Sequence, residues 1–399
     1  MRLSILFIFV VSVFIGCEKT GFAEQDETTD KVAVKSADTT KSYYTSVLSE
    51  KYVFYVGGYT SGESEGIYKY SLLEDGSIVK TGLAAATENP SFLTLSSDSR
   101  FLLAVNEKQT GTVESYSISE DIALTFNNRS STGGKNPCYV SANDSGFVLV
   151  SNYGSGNVGL LKLNEAGELS ELLDSDQHSS DEYPTPHAHS AQFESTGNGI
   201  ISADLGINEL WFSKLNSEQQ KLEPAEQQSL LMPEGSGPRH FVIHKNGKWI
   251  YVVNEYGNTV TLVNKNSEGQ FSVVNTVSTL PEDFTGTSYC ADIHISADHR
   301  FIYASNRGHN SIAIFKLADD GLLTTVGFES TRGVFPRNFA ISPDDNFLLA
   351  ANQKSNNIVS FRRDVTTGLL EFIDETDAPI PTCILFYKPV TTSINEYRL

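Results

Sequence analysis

The chain has 399 residues, 39% of them hydrophobic, and 29 Lys and Arg against 49 Asp and Glu give a net charge of −20. That balance excludes nucleic acid as a partner, because binding a phosphate backbone depends on a basic footprint; it leaves room for a small anionic ligand held by a few local arginines. Length alone suggests two or three domains, but an internal repeat overrules it.

In chain order, Met1 and Arg2 precede an apolar run from Leu3 to Ile15, followed by Gly16-Cys17. The run is shorter than the roughly 20 residues of a membrane-spanning helix and fits the apolar region of an export signal. Its ending, Phe14-Ile15-Gly16-Cys17, resembles a bacterial lipoprotein box, with Phe14 where Leu is usual. The resemblance implies lipidation of Cys17, a membrane anchor through that lipid, and an exported protein of the cell envelope. Residues 1–16 are then the leader. Residues 17–50 are polar, lack an apolar period and read as a flexible tether.

Residues 51–389 are expected to form one all-β domain, leaving 390–399 as a tail. One phrase recurs six times, beginning near Pro90, Pro137, His187, Pro238, Cys290 and Pro336. Each copy is an apolar strand, a short Asp/Asn/Gly turn, a second strand ending in Asn or Asp, and a third strand. The landmark closing the second strand is Asn106, Asn152, Asp204, Asn254, Asn306 and Asn352, at spacings of 46, 52, 50, 52 and 46 residues. A period of this length built from strands and turns predicts a β-propeller. Tyr52 to Leu72 supplies second and third strands with no first strand before it, and Pro381 to Pro389 resembles a first strand with nothing after it. Joined, they complete a seventh blade and close the ring, which removes a bare sheet edge.

The start of each first strand and the end of each second strand emerge on the same face, near the axis. Two sets of equivalent positions follow. Fifteen residues before the landmarks stand Ser91, Pro137, His189, Arg239, Ala291 and Arg337; one residue after them stand Glu107, Tyr153, Leu205, Glu255, Arg307 and Gln353. His189, Arg239, Glu255, Arg307 and Arg337 fall on consecutive blades, the fourth to the seventh. Ionisable groups gathered among apolar strands cost free energy unless they pair or serve a ligand. His187, Tyr153 and Gln353 are further candidates for contact with a ligand, and Asp292 and His294 for support behind the site. Salt bridging between blades is the competing explanation for the charges.

Three cysteines follow Cys17: Cys138, Cys290 and Cys383. They belong to the third, sixth and first blades, which are not neighbours, so buried structural roles are expected rather than a disulfide. No Cys-x-x-Cys pair points to a metal. The glycine-rich run from Asn152 to Asn157 lacks the strand-to-helix context of a phosphate loop.

The segments His189 to Phe193, Gly237 to His244, Tyr251 to Glu255, Ala291 to Ser296, Tyr303 to His309 and Ala350 to Ile358 resemble the propeller-type 6-phosphogluconolactonase family, which includes fungal muconate-lactonising enzymes. The resemblance covers about residues 51–389. It implies a seven-bladed fold, a small-molecule lactone as substrate, no cofactor and no metal, and a site at His189, Arg239, Glu255 and Arg307. In the expected hydrolysis Glu255 takes a proton from water, His189 protonates the leaving oxygen, and Arg239 and Arg307 hold the oxyanion or a substrate anion. Two alternatives stand beside it: a muconate-cycloisomerase-like reaction on a dicarboxylate with the same groups, and a membrane-tethered propeller that binds without turnover.

Overall fold

A computed structural model describes residues 49–388, apart from 184 and 196. The leader, Cys17, all but the last residues of the tether, and the tail at 390–399 lie outside the described residues. Every described regular element is a strand. The strands form seven four-stranded antiparallel sheets, the seven blades expected.

Blade 1 is the composite. Its innermost strand Pro381–Phe386 pairs antiparallel with Glu50–Gly58, so that Phe54 faces Phe386 and Gly57 faces Cys383. Strands Gly66–Leu73 and Ile78–Ala86 complete it. Gly57 has a steric reason: a Cβ there would sit 2.2 Å from the carbonyl oxygen of Pro90 in blade 2. The other six blades begin with innermost strands Leu93–Leu95, Pro137–Ala142, Ala188–Phe193, Pro238–Ile243, Tyr289–Ile295 and Pro336–Ile341.

The second strands are buried on both faces. In Phe101–Asn106, Phe147–Asn152 and Phe347–Asn352 every residue is buried. Blades stack face to face, so each middle strand packs on two neighbours and reads as a continuous apolar run rather than an alternating one. Seven apolar clusters fill the seven interfaces. One joins Phe301, Tyr303 and Ile314 of blade 6 to Phe339, Leu348 and Phe361 of blade 7; another joins Phe54 and Tyr70 of blade 1 to Phe347 and Leu349 of blade 7.

Five of the six landmark residues bond across to the preceding blade; Asn254 bonds only Thr259 and Thr261 of its own blade. Asn152 donates to the Thr132 carbonyl at 3.0 Å and accepts from the Thr132 hydroxyl at 2.6 Å. Asn306 repeats this with Thr279, at 2.7 and 2.8 Å. An amide is suited to the place because it gives and takes a hydrogen bond at one point. All six landmark side chains are buried.

Candidate functional site

A β-bulge shapes the mouth of the channel where innermost strands begin. In blade 5 Pro238 pairs with Asn254 and His240 with Val253, which leaves Arg239 as the extra residue. His189 is the extra residue in blade 4, Arg337 in blade 7, and Thr382 in blade 1. A bulge re-aims one side chain without ending the strand. It recurs at the start of the innermost strand in every blade but the second, where Leu93–Leu95 pairs without a register shift.

The bulge corrects one position read from the sequence. In blade 3 Pro137 pairs with Asn152, so the extra residue is Cys138 and not Pro137. The turn between Ala142 and Phe147 holds four residues, whereas that between Ile243 and Trp249 holds five. Counting back from the landmark across the shorter turn overshoots by one. Cys138 is therefore a wall of the site as well as a buried thiol, its sulfur 3.7 Å from His189 Nδ1. All three described cysteines are free and buried.

The structure brings Arg239, Glu255 and Arg307 into one ion-paired group. Arg239 Nε meets Glu255 Oε2 at 3.0 Å, and Arg307 Nη2 meets the same oxygen at 2.7 Å. Oε1 stays outside these ion pairs. Arg239 also donates through Nη1 to the Ala291 carbonyl, and its Nη2 has no hydrogen-bond partner among the described residues. Arg307 donates to the Cys290 carbonyl at 2.7 Å and lies 5.0 Å from the Phe335 ring centroid. Its Nε is buried without a partner, as is Ser91 Oγ.

Arg337 differs from the other two cations. It lies 5.6 Å from the ring centroid of Tyr59 and has no ion pair among the described residues. The Tyr59 hydroxyl donates to the Glu107 carboxylate at 2.9 Å. Tyr59 stands one residue after Gly58, which pairs with Pro381, and so completes the second set of positions in blade 1. Tyr59 is hidden in the sequence because the composite blade is split between the chain's two ends and its second strand closes on Gly58, not on Asn or Asp. Glu107 was in that set, but nothing in the sequence tied it to Arg337.

His189 is buried, with its ring edge-on to Tyr153 at 5.5 Å and to His240 at 5.3 Å. His187 stacks on Tyr153 at 4.4 Å and its Nδ1 bonds the Tyr153 carbonyl at 2.9 Å, so it joins the rim through Tyr153. Leu205 is buried. Gln353 makes no hydrogen bond to the charged group, although its Oε1 is buried without a partner. Asp292 and His294 lie below, bonded to each other at 3.0 Å.

Electrostatics divide the roles. Burial pushes the Glu255 carboxyl upward, but Arg307 and Arg239 outweigh it and hold the group below its usual range. Burial, with Arg239, His240 and Arg337 nearby, holds His189 well below the usual imidazole value, so it is neutral at pH 7. Burial beside Arg307 and Arg337 pushes Arg239 down to about 10, still charged at neutral pH. Burial raises the Cys138 thiol, which keeps it protonated. A neutral imidazole weakens the expected role of His189 as proton donor to the leaving oxygen; what remains to it is a hydrogen bond.

The rings of Phe92 and Tyr139 stack at 4.3 Å, and Tyr139 lies 5.2 Å from His240. A cavity of about 530 Å³ opens below these rings, lined by Thr94, Gln192, Asp292 and His294 among others. None of the charged residues of the upper mouth lines it.

A family model described as "Lactonase, 7-bladed beta-propeller" matches residues 53–386. A 6-phosphogluconolactonase of Bacillus subtilis is 36% identical over 351 residues, covering 85% of this chain and 99% of the relative. One of Formosa agariphila is 37% identical over 308 residues, covering 71% and 84%. Among solved structures, the periplasmic gluconolactonase of Pseudomonas aeruginosa superposes with a TM-score of 0.81 at 29% identity, over 84% of this chain and 99% of that one. The matched span contains every residue of the upper mouth described above.

Proposed function

Since this chain belongs to the lactonase family of seven-bladed β-propellers, we propose that its upper mouth hydrolyses a sugar lactone bearing negative charge. The observation that carries this reading is a carboxylate bound by two arginines through one oxygen, beside a third arginine with no ion pair among the described residues. Glu255 Oε1 accepts a proton from water as that water attacks the lactone carbonyl carbon. The Nη2 edge of Arg239, with Arg307, receives the charge that develops on the carbonyl oxygen; one such donor contributes roughly 10²–10³-fold. The tetrahedral intermediate collapses, the ring C–O bond breaks, and the proton on Glu255 passes to the leaving ring oxygen. His189 steadies that oxygen by a hydrogen bond. The new carboxylic acid ionises to solvent, so atoms and charge balance. Arg337 anchors a phosphate or carboxylate on the substrate.

The test is turnover of phosphorylated and unphosphorylated aldonolactones of one ring size. Glu255→Gln keeps shape but loses basicity, and kcat should fall about 10²-fold or more with little change in KM. Arg337→Ala should raise KM for the phosphorylated lactone by about tenfold and leave the neutral one nearly unchanged. Wild-type turnover in Glu255→Gln removes the base from the mechanism. Preferential turnover of a muconate-type dicarboxylate, or binding with no turnover, replaces the reading.

The leader and Cys17 support an envelope location through a lipid anchor. Labelled fatty acid should be incorporated into the full chain and absent from Cys17→Ser; its persistence in the variant would refute the anchor.

A further inference from the structure

We infer that His240 and Asp292 are positioning residues, which aim the guanidinium of Arg239 through a hydrogen-bonded chain whose direction the Asp292 carboxylate sets. The inference rests on the reading that Arg239 meets the substrate.

The chain can be read atom by atom. A guanidinium nitrogen only donates. Arg239 Nη1 lies 3.3 Å from His240 Nε2, so Nε2 is the acceptor and the imidazole proton sits on Nδ1. Nδ1 in turn lies 2.8 Å from Asp292 Oδ1, to which it donates. The order is Arg239 to His240 to Asp292, and a reversed tautomer would set a donor against a donor at Arg239.

The far end of the chain is fixed by its own bonds. Asp292 Oδ1 also accepts from the Ile293 amide at 3.0 Å. Oδ2 accepts from His294 Nε2 at 3.0 Å, from Asn338 Nδ2 at 2.6 Å and from the Phe339 amide at 3.4 Å. These donors come from blades 5, 6 and 7, so one carboxylate ties three blades beneath the charged group. Burial, with Arg239 beside it, pushes His240 down to about 4, and the ring stays neutral. It therefore adds no positive charge next to three arginines. The rings of Phe92, Tyr139 and His189, at 5.7, 5.2 and 5.3 Å, wall the imidazole and oppose its rotation. Partners bonded behind metal ligands change activity by about 10–100-fold, and we take the same scale for a partner behind a guanidinium.

The competing account is that the pair only fastens blade 5 to blade 6. Histidine-selective ¹⁵N spectra of the full chain decide the tautomer directly, with the His240 signal identified by its loss in His240→Gln. Wild type should show His240 protonated on Nδ1; protonation on Nε2 overturns the inference whether or not the protein turns over any lactone. In Asp292→Asn the donors crowding Oδ2 keep the amide oxygen on their side, so the amide NH₂ faces His240 and drives its proton to Nε2. The spectrum should switch accordingly, and kcat should fall about 10–100-fold with KM changed by less than about twofold. His240→Gln can accept from Arg239 and donate to Asp292, and should retain more turnover than His240→Leu. Equal turnover per folded molecule in wild type, Asp292→Asn and His240→Leu, with only the melting temperature lowered, establishes fastening instead. If wild type opens no lactone, the proposed reaction fails, and the tautomer and the Arg239 Nε–H shift in Asp292→Asn still decide the chain.

Discussion

Glu255 is kept ionised by Arg307 and Arg239, the arginines paired with it. Burial alone would raise its pKa, yet Arg307 and Arg239 hold it below the ordinary value of 4.5. The charged form therefore persists until pH falls through that lowered value, and the acid limb of kcat/KM should lie below the ordinary carboxylate range. Arg307→Ala removes the stronger of the two opposing charges, so burial is less opposed and the limb should move toward neutrality. Rates from about pH 3 to pH 8 for wild type and variant measure this. A limb that stays in place would show that another group controls it. At this scale the sequence revealed the charges but not their partition, because only contact distances separate the paired Arg239 and Arg307 from Arg337.

The blade itself was legible from its period, because continuous apolar runs bounded by turn residues are what a strand buried on both faces requires. Register at the mouth was less so. The ring positions were counted from the landmarks, and the four-residue turn of blade 3 shifted that count from Cys138 to Pro137. The exception among the landmarks, Asp204, has a compensating change one blade back. His178 occupies the place of Thr132 and Thr279, its amide bonding the Gly156 carbonyl as theirs bond Gly111 and Asn258. A carboxylate cannot donate, so it takes a proton donor instead: His178 Nδ1 at 2.8 Å. Both side chains are buried. Asp204→Asn and His178→Thr should each cost about 1–3 kcal/mol, while the double variant recovers most of the loss by restoring the Thr–Asn pair. Melting temperatures of the four proteins test this, and strictly additive losses would contradict it.

The ring depends on a strand supplied by the last part of the chain. Removing residues 381–399 takes away Pro381–Phe386 and exposes the edge of Glu50–Gly58. It also strips Ile384 and Phe386 from the cluster between blades 1 and 7. Such a truncation should aggregate, whereas deletion of 18–45 should leave the melting temperature nearly unchanged. Size-exclusion chromatography and thermal melts read both outcomes, and a well-folded monomer ending at residue 380 would break the closure argument.

Closure also sets a clock. Glu50–Gly58 leaves the ribosome early, and the strand that covers it is made more than 300 residues later. The ring cannot shut during synthesis. It shuts once, at the end, so no completed ring exists until the last few dozen residues are made. Under the export we propose, that delay has a use: a transporter that accepts only unfolded polypeptide would meet no completed ring, and closure would be deferred to the compartment where the final strand arrives.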